Sequence, residues 1–324
     1  MLTSADGDHR IFQVLAWIGL GGHFALWAVL YGLTGISVAF IDIAANVVPA
    51  AFALVFWGIT LFGARHADAL TERLQKLLPV LGQLAQWVIL IELFPVANTI
   101  PCYLIATFGG ALWDAELAGF DAMLGIDVAA IVQWATAHPT LNFLFAKSYE
   151  SIFLQFPVVI TVLTLGRNLR AAWEMAAIVL CGSFLGLFVF LMVPADGPFA
   201  YFDLGASPAQ AGCLNYFHLL RDHAITEIKE VHGIIAFPSY HVLFALVTTY
   251  AARRNRWLLA SFVVLNLFNI TATMTTGWHY FADVLGGLGL FLAITLGLHH
   301  VEAAIARRKW FRLVEVTGDV MQDG

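Results

Sequence analysis

FPSYHVLFALVTTYAARRNRWLLASFVVLNLFNITATMTTGWHYFAD, residues 237–283, holds two apolar runs joined by the basic turn Arg253-Arg254-Asn255-Arg256. Each run has a histidine at or just beyond its far end: His241 follows Pro238-Ser239, and His279 follows Gly277-Trp278. The spacing is enough for one helix in, the basic turn, and one helix back, which returns both histidines to the same level. A third run starts at residue 280 and carries Asp283, four residues after His279 and on the same helical face. The segment therefore reads as helical hairpins with titratable groups gathered at one end.

The rest of the chain extends this pattern. Of its 324 residues 60% are hydrophobic and 12% charged, about half the charged share of a soluble domain. The apolar stretches fall at roughly 11–33, 44–63, 79–108, 148–166, 172–194, 238–252, 257–276 and 280–300, most of them near the ~20 residues that cross a bilayer. The expected fold is an all-α, polytopic membrane bundle of about eight transmembrane helices. A retained first span is expected rather than a cleaved leader, because no small-residue cleavage site follows the first run.

Thirteen of the sixteen basic residues fall on one side of an eight-span arrangement: Arg10; Arg65, Arg73 and Lys76; Arg167 and Arg170; Arg253, Arg254 and Arg256; and Arg307, Arg308, Lys309 and Arg312. That side is expected to be cytoplasmic, with both termini. Both histidines then face outward, and of the three remaining basic residues, Lys147, Arg221 and Lys229, two lie in the loop leading to Ser239. Residues 109–139 contain Asp114, Glu116, Asp121 and Asp127 and no Lys or Arg, and read as an interfacial amphipathic helix. Cys102 and Cys213 both fall on or near the outward side in this topology, but pairing needs a close backbone approach, and free thiols are expected. His218, His223 and His232, with Glu227 and Glu230, match no tight metal-ligand spacing. His23, His299 and His300 read as structural, and Glu92 and Glu150 as intramembrane carboxylates with either a hydrogen-bonding or a functional role. No nucleotide-binding glycine loop and no basic-aromatic nucleic-acid surface is present.

Pro238 suits the first position of a helix, which would place Ser239 and His241 at a helix start, where unpaired amides and the dipole favour an anion. If Asp283 accepts a hydrogen bond from one ring nitrogen of His279, the other is free to act as a nucleophile. His241 is positioned to protonate a leaving alkoxide, and Arg221 and Lys229 are candidates for the fixed positive charge that phosphoryl transfer requires. Ser239 reads either as a phosphate ligand or as a helix cap, and Tyr280 as an interfacial aromatic that also lines the site.

Pro-Ser-x-His followed by His-Tyr-x-x-Asp resembles the type 2 phosphatidic acid phosphatase superfamily, most specifically over about 194–290. The resemblance implies a six-helix core and metal-free phosphohistidine chemistry, with His279 as nucleophile, Asp283 as its orienting partner, His241 as general acid and Ser239 as a phosphate ligand. It calls for no cofactor. Tyr240 stands where the family has glycine, Thr273 where it has arginine, and the upstream Lys-x6-Arg-Pro element is absent. These departures resemble the inositol phosphorylceramide synthase branch, which moves headgroups between lipids. The expected activity is thus a lipid phosphatase or phosphotransferase, leaning to transfer, acting on a phospholipid or sphingolipid at the outer face of a bacterial inner membrane. A simple phosphatidic acid or polyprenyl phosphate phosphatase, a non-enzymatic lipid carrier and a zinc hydrolase are the alternatives. The expected division is an N-terminal hairpin at 1–78, a catalytic membrane domain at 79–302 and a basic tail at 303–324.

Overall fold

The computed structural model describes residues 9–229 and 233–320, with backbone alone for 40–42, 67 and 308–320. It is an all-α membrane bundle. The helices are α1 (Arg10–Thr34), α2 (Phe40–Arg65), α3 (Glu72–Ala106), α4 (Asp114–Met123), α5 (Val128–Thr136), α6 (Pro139–Glu150), α7 (Ile152–Leu165), α8 (Leu169–Met192), α9 (Pro198–Tyr201), α10 (Pro208–Arg221), α11 (Tyr240–Ala251), α12 (Arg256–Thr275) and α13 (Phe281–Val320). A two-residue parallel pairing of Ser37–Val38 with Glu227–Ile228 ties the α1–α2 link to the loop after α10.

Among the described residues six helices are long and apolar enough to cross a membrane: α1, the Ile43–Arg65 part of α2, α3, α8, α12 and the Phe281–Arg307 part of α13. The expected fourth span is broken. Its residues form α6 and α7, which meet at a 51° bend. The expected sixth span, α11, has only 12 residues, about 18 Å at 1.5 Å per residue against a hydrocarbon core of about 30 Å. A helix this short sets its first residues below one boundary of the bilayer when its last reach the other.

Helix α8 is the hub, with α1, α3, α7, α11 and α13 packed around it. Apolar burial alone drives little helix association inside lipid, so close approach through small residues carries the packing. Gly186 of α8 faces the Tyr240 ring so closely that an added Cβ would sit 2.5 Å from it. The Tyr240 hydroxyl then donates to the Ser183 carbonyl at 2.5 Å. Tyr240 therefore fills a gap that a small residue on α8 provides, and its ring points back into the bundle.

A buried charge network closes the end of the bundle where the basic residues gather. Glu174 is 1% exposed; it accepts from Arg253 at 2.5 Å and from Tyr250 at 3.0 Å, and it pairs with His299 at 2.8 Å. Arg170 forms a two-pronged pair with Glu302. His299 is thus structural, as its sequence context implies. Within α3, Glu92 accepts from Asn46 at 3.4 Å across the α2–α3 contact. The side chains of Arg308, Lys309 and Arg312 lie outside the described residues.

Candidate active site

The site forms where α11 and α13 begin. The first residue of α11 is Tyr240 and Ser239 is its N-cap; Pro238, expected as the first helical residue, instead precedes the cap and follows a cis peptide bond. Ser239 is extended (φ −68°, ψ 111°) and its Oγ accepts from the Val242 amide at 3.4 Å. Serine wins the cap because its oxygen satisfies an amide that would otherwise have no partner. Gly287 of α13 allows the approach, since a Cβ there would lie 2.5 Å from the Ser239 carbonyl. The Ser239 amide in turn donates to the Asp283 carbonyl at 3.1 Å, which stitches the two helix starts together.

His279 is 4% exposed and Asp283 fully buried. His279 Nδ1 lies 2.9 Å from the Ala236 carbonyl and 3.2 Å from Asp283 Oδ2. Two oxygen acceptors at one nitrogen place the proton on Nδ1 and leave Nε2 with its lone pair. Asp283 Oδ2 also accepts from the Tyr280 amide at 2.9 Å, so the carboxylate is fixed by the backbone that carries the histidine.

The ring of His241 lies flat on Tyr149 (centroids 3.7 Å apart, planes 14° from parallel) with Phe153 edge-on. Its centroid is 6.2 Å from that of His279, too far for the rings to bond directly and close enough for one group between them. His241 Nε2 is buried without a hydrogen-bond partner, at a cost of about 1–3 kcal/mol in a folded interior. An orphaned ring nitrogen on an imidazole beside a second imidazole calls for a functional explanation.

Both imidazoles open onto a cavity of about 700 Å3. Trp278 and Tyr149 wall it beside them, and its other walls come from α3, α7, α8, α10, α11 and residues 233–235. No Lys or Arg is among the described residues that line it.

The other expected ligands lie elsewhere. Ser239 is fully buried as the cap of α11. Tyr280, expected at an interface and beside the substrate, is fully buried too, and its hydroxyl donates to Asp114 Oδ1 at 2.9 Å. Arg221 ends α10, donates to the Gly110 carbonyl at 2.5 Å and stacks over Phe217. Lys229 is mostly exposed and pairs with Glu227 at 3.2 Å. Thr273, at the position of the missing arginine, is buried; its hydroxyl bonds the Ile270 carbonyl, and its own carbonyl accepts from the His279 amide.

Residues 109–139 differ most from expectation. They form two short helices, α4 and α5, around Gly125 in the left-handed region (φ 73°), and two of their acids face inward. Asp121 is 2% exposed and accepts from the amides of Phe281 and Ala282, both at 2.8 Å. Asp114 accepts from the amides of Asp196 and Gly197, both at 2.9 Å. Burial pushes the Asp121 carboxyl above the usual carboxylate range, and its two amide bonds oppose that rise. Asp121 thus occupies the helix-start amides of α13, the donors that an anion would otherwise take, while Asp114 holds the turn before α9 and the Tyr280 hydroxyl. Their seven-residue spacing, two helical turns, was the available signal, and it is equally the pattern of an amphipathic helix with a solvated acidic face.

His218 pairs with Asp196 at 3.1 Å. Burial raises Asp196 above the carboxylate range, and His218 offsets part of the rise. Among the described residues no cluster of three or more His, Cys, Asp or Glu side chains forms a metal site; Glu230 and His232 lie outside them. Cys102, Cys181 and Cys213 are free thiols.

Neither curated proteins nor solved structures give a match to the chain. A family model does: it spans residues 115–297, more than half the chain, from α4 with Asp121 into α13, the helix that bears Asp283. By that match the chain belongs to the PAP2 superfamily.

Proposed function

We propose that the chain is a membrane lipid phosphatase or phosphotransferase in which His279 carries the phosphoryl group covalently. Family membership supports phosphatase-type, phosphoric-ester chemistry. The observation that carries the finer reading is the wiring of His279: Nδ1 is held by Asp283 and Ala236, and Nε2 is free beside His241 at the head of a large cavity.

In the first step His279 Nε2 attacks phosphorus, the ester P–O bond breaks, and the leaving oxygen takes a proton from His241. In the second step an acceptor hydroxyl gives its proton to His241 and attacks phosphorus, and the P–N bond breaks. Asp283 holds the tautomer and balances the positive charge that builds on His279. His241 is the second residue of α11, so the transferring group also meets the positive end of that helix. Ser239 serves this arrangement as the cap that aims His241.

The near-complete burial of His279 favours transfer to a lipid hydroxyl over hydrolysis, because a site that excludes water protects the intermediate. The reading puts the site on the outward face of a bacterial inner membrane with both termini cytoplasmic, on the strength of the one-sided distribution of Lys and Arg.

Purified protein in detergent with EDTA is tested on labelled phospholipids, with and without diacylglycerol or ceramide as acceptor. Phosphoester cleavage that survives EDTA and disappears in His279→Ala and His241→Ala is the expected result. Full activity in both variants would remove the reading, and loss of activity in EDTA would replace it with metal-assisted hydrolysis. A new phosphorylated lipid marks transfer; free phosphate or free headgroup marks hydrolysis.

A further inference from the structure

The cavity below the histidines has a roof, a floor and one open side. Helix α10, through Ala209 and Cys213, and residues 233–235 cover it beside the imidazoles. At the other end it stops at Trp87 and Met175. Trp87 lies against the fully buried Trp173, centroids 4.2 Å apart and planes tilted by 35°, and the Trp173 indole donates to Gln83 at 3.0 Å. The floor is therefore a locked aromatic pair.

The open side lies between α3 and α7. Each packs on α8 and not appreciably on the other. Ile91 of α3 and Phe153 of α7 line the cavity while remaining 37% and 69% exposed, so they form the rim of a gap that faces lipid. Phe94, Phe156 and Phe244 meet edge to face one turn of α11 below His241. From there two turns of α3 lead to Trp87, which gives a depth below the histidines of about 15 Å at 1.5 Å per residue. That depth equals one leaflet's share of a hydrocarbon core of about 30 Å.

We propose that this cavity seats one aliphatic chain of the phosphorylated lipid, admitted sideways between α3 and α7, and that Trp87 backed by Trp173 limits its length. The proposal rests on the lipid-phosphate reading above for the identity of the head and adds the seat of the tail. Water is a poor occupant of so apolar a space, and a polar headgroup finds no charged partner on its lower walls. A chain with its phosphate between the imidazoles fills it.

The seat is tested without turnover by photocrosslinking. His279→Ala protein in nanodiscs is irradiated with a lipid phosphate bearing a diazirine at the end of an acyl chain. Crosslinks on peptides containing Trp87, Ile160 or Met175, competed by unlabelled lipid phosphate, are expected; crosslinks confined to the lipid-facing surface of α12, or insensitive to competitor, would overturn the seat. Activity then reads the floor across octanoyl, dodecanoyl and stearoyl substrates. Trp87→Ala deepens the cavity and is expected to raise the stearoyl-to-dodecanoyl rate ratio about tenfold, and Ala176→Phe to lower it about tenfold, the size of effect that a few methylenes carry in an apolar pocket. Val264→Phe, on the exposed face of α12, controls for general effects of bulk, and thermal melts identify variants that fail to fold. An unchanged chain-length profile in folded Trp87→Ala and Ala176→Phe would overturn the floor. Crosslinking in the cavity with neither phosphoester cleavage nor a new phosphorylated lipid from wild-type protein would retain the seat and sink the enzymatic reading.

Discussion

Two histidine–carboxylate pairs lie along α13, one at its start, where His279 precedes the helix and Asp283 is in its first turn, and one near the other end of its membrane-spanning part, and their wiring differs. His279 uses only Nδ1, shared between Asp283 and the Ala236 carbonyl. His299 has both nitrogens engaged: Nε2 with Glu174 and Tyr250, and Nδ1 with Glu302. The same pair of residue types therefore makes a reactive centre at one end and a clamp at the other. What separates them is whether a ring nitrogen is left over.

The largest effect that can break this contrast is on rate. Asp283→Asn retains the side-chain shape but loses the carboxylate that selects the tautomer; activity is expected to fall about 10^3- to 10^4-fold, as for the comparable change in a histidine triad. Its melting temperature should shift far less than that of the next variant. Activity within tenfold of wild type would show that Asp283 does not orient His279.

The next effect is on stability. Glu174→Ala leaves Arg253 and His299 without their shared carboxylate, and breaking a buried pair typically costs about 3–5 kcal/mol. A lowered denaturation midpoint, with near-normal rate in the protein that remains folded, is expected. A midpoint within error of wild type would mean that the clamp is dispensable.

Tyr280→Phe removes one bond, to Asp114, and leaves a buried carboxylate less satisfied. A loss of about 1–3 kcal/mol is expected, read as a lower midpoint with unchanged substrate affinity. Weaker affinity at unchanged stability would return Tyr280 to the substrate. The smallest expected effect is Tyr149→Leu, which removes the stack under His241, worth about 0.5–1.5 kcal/mol for an aromatic pair. Turnover should fall up to about tenfold by the same measure, and the EDTA-resistant activity should persist.

The spans were legible because lipid demands long apolar helices whatever their neighbours do. Each of the eight runs corresponds to a helix, although residues 148–166 straddle the bend between α6 and α7. The histidines and Asp283 were legible because an i,i+4 pair at a helix start constrains itself locally. Asp114 and Asp121 were not, because an acid in an amphipathic stretch looks solvated until the amides it binds are folded against it. Tyr240 looked anomalous for a related reason: its partner is the space over Gly186, 54 positions earlier in the chain.

The sequence by itself determined the class of the molecule, the run of spans and the pair of helix starts that carry His241, His279 and Asp283. Those follow from hydropathy and from contacts within one helical turn. Only the tertiary structure decided that Asp121 ties down the start of α13, that Arg221 and Lys229 lie away from the cavity, and that the cavity opens between α3 and α7. Such features depend on which helices fail to pack as much as on which do, and hydropathy along a chain carries no record of that.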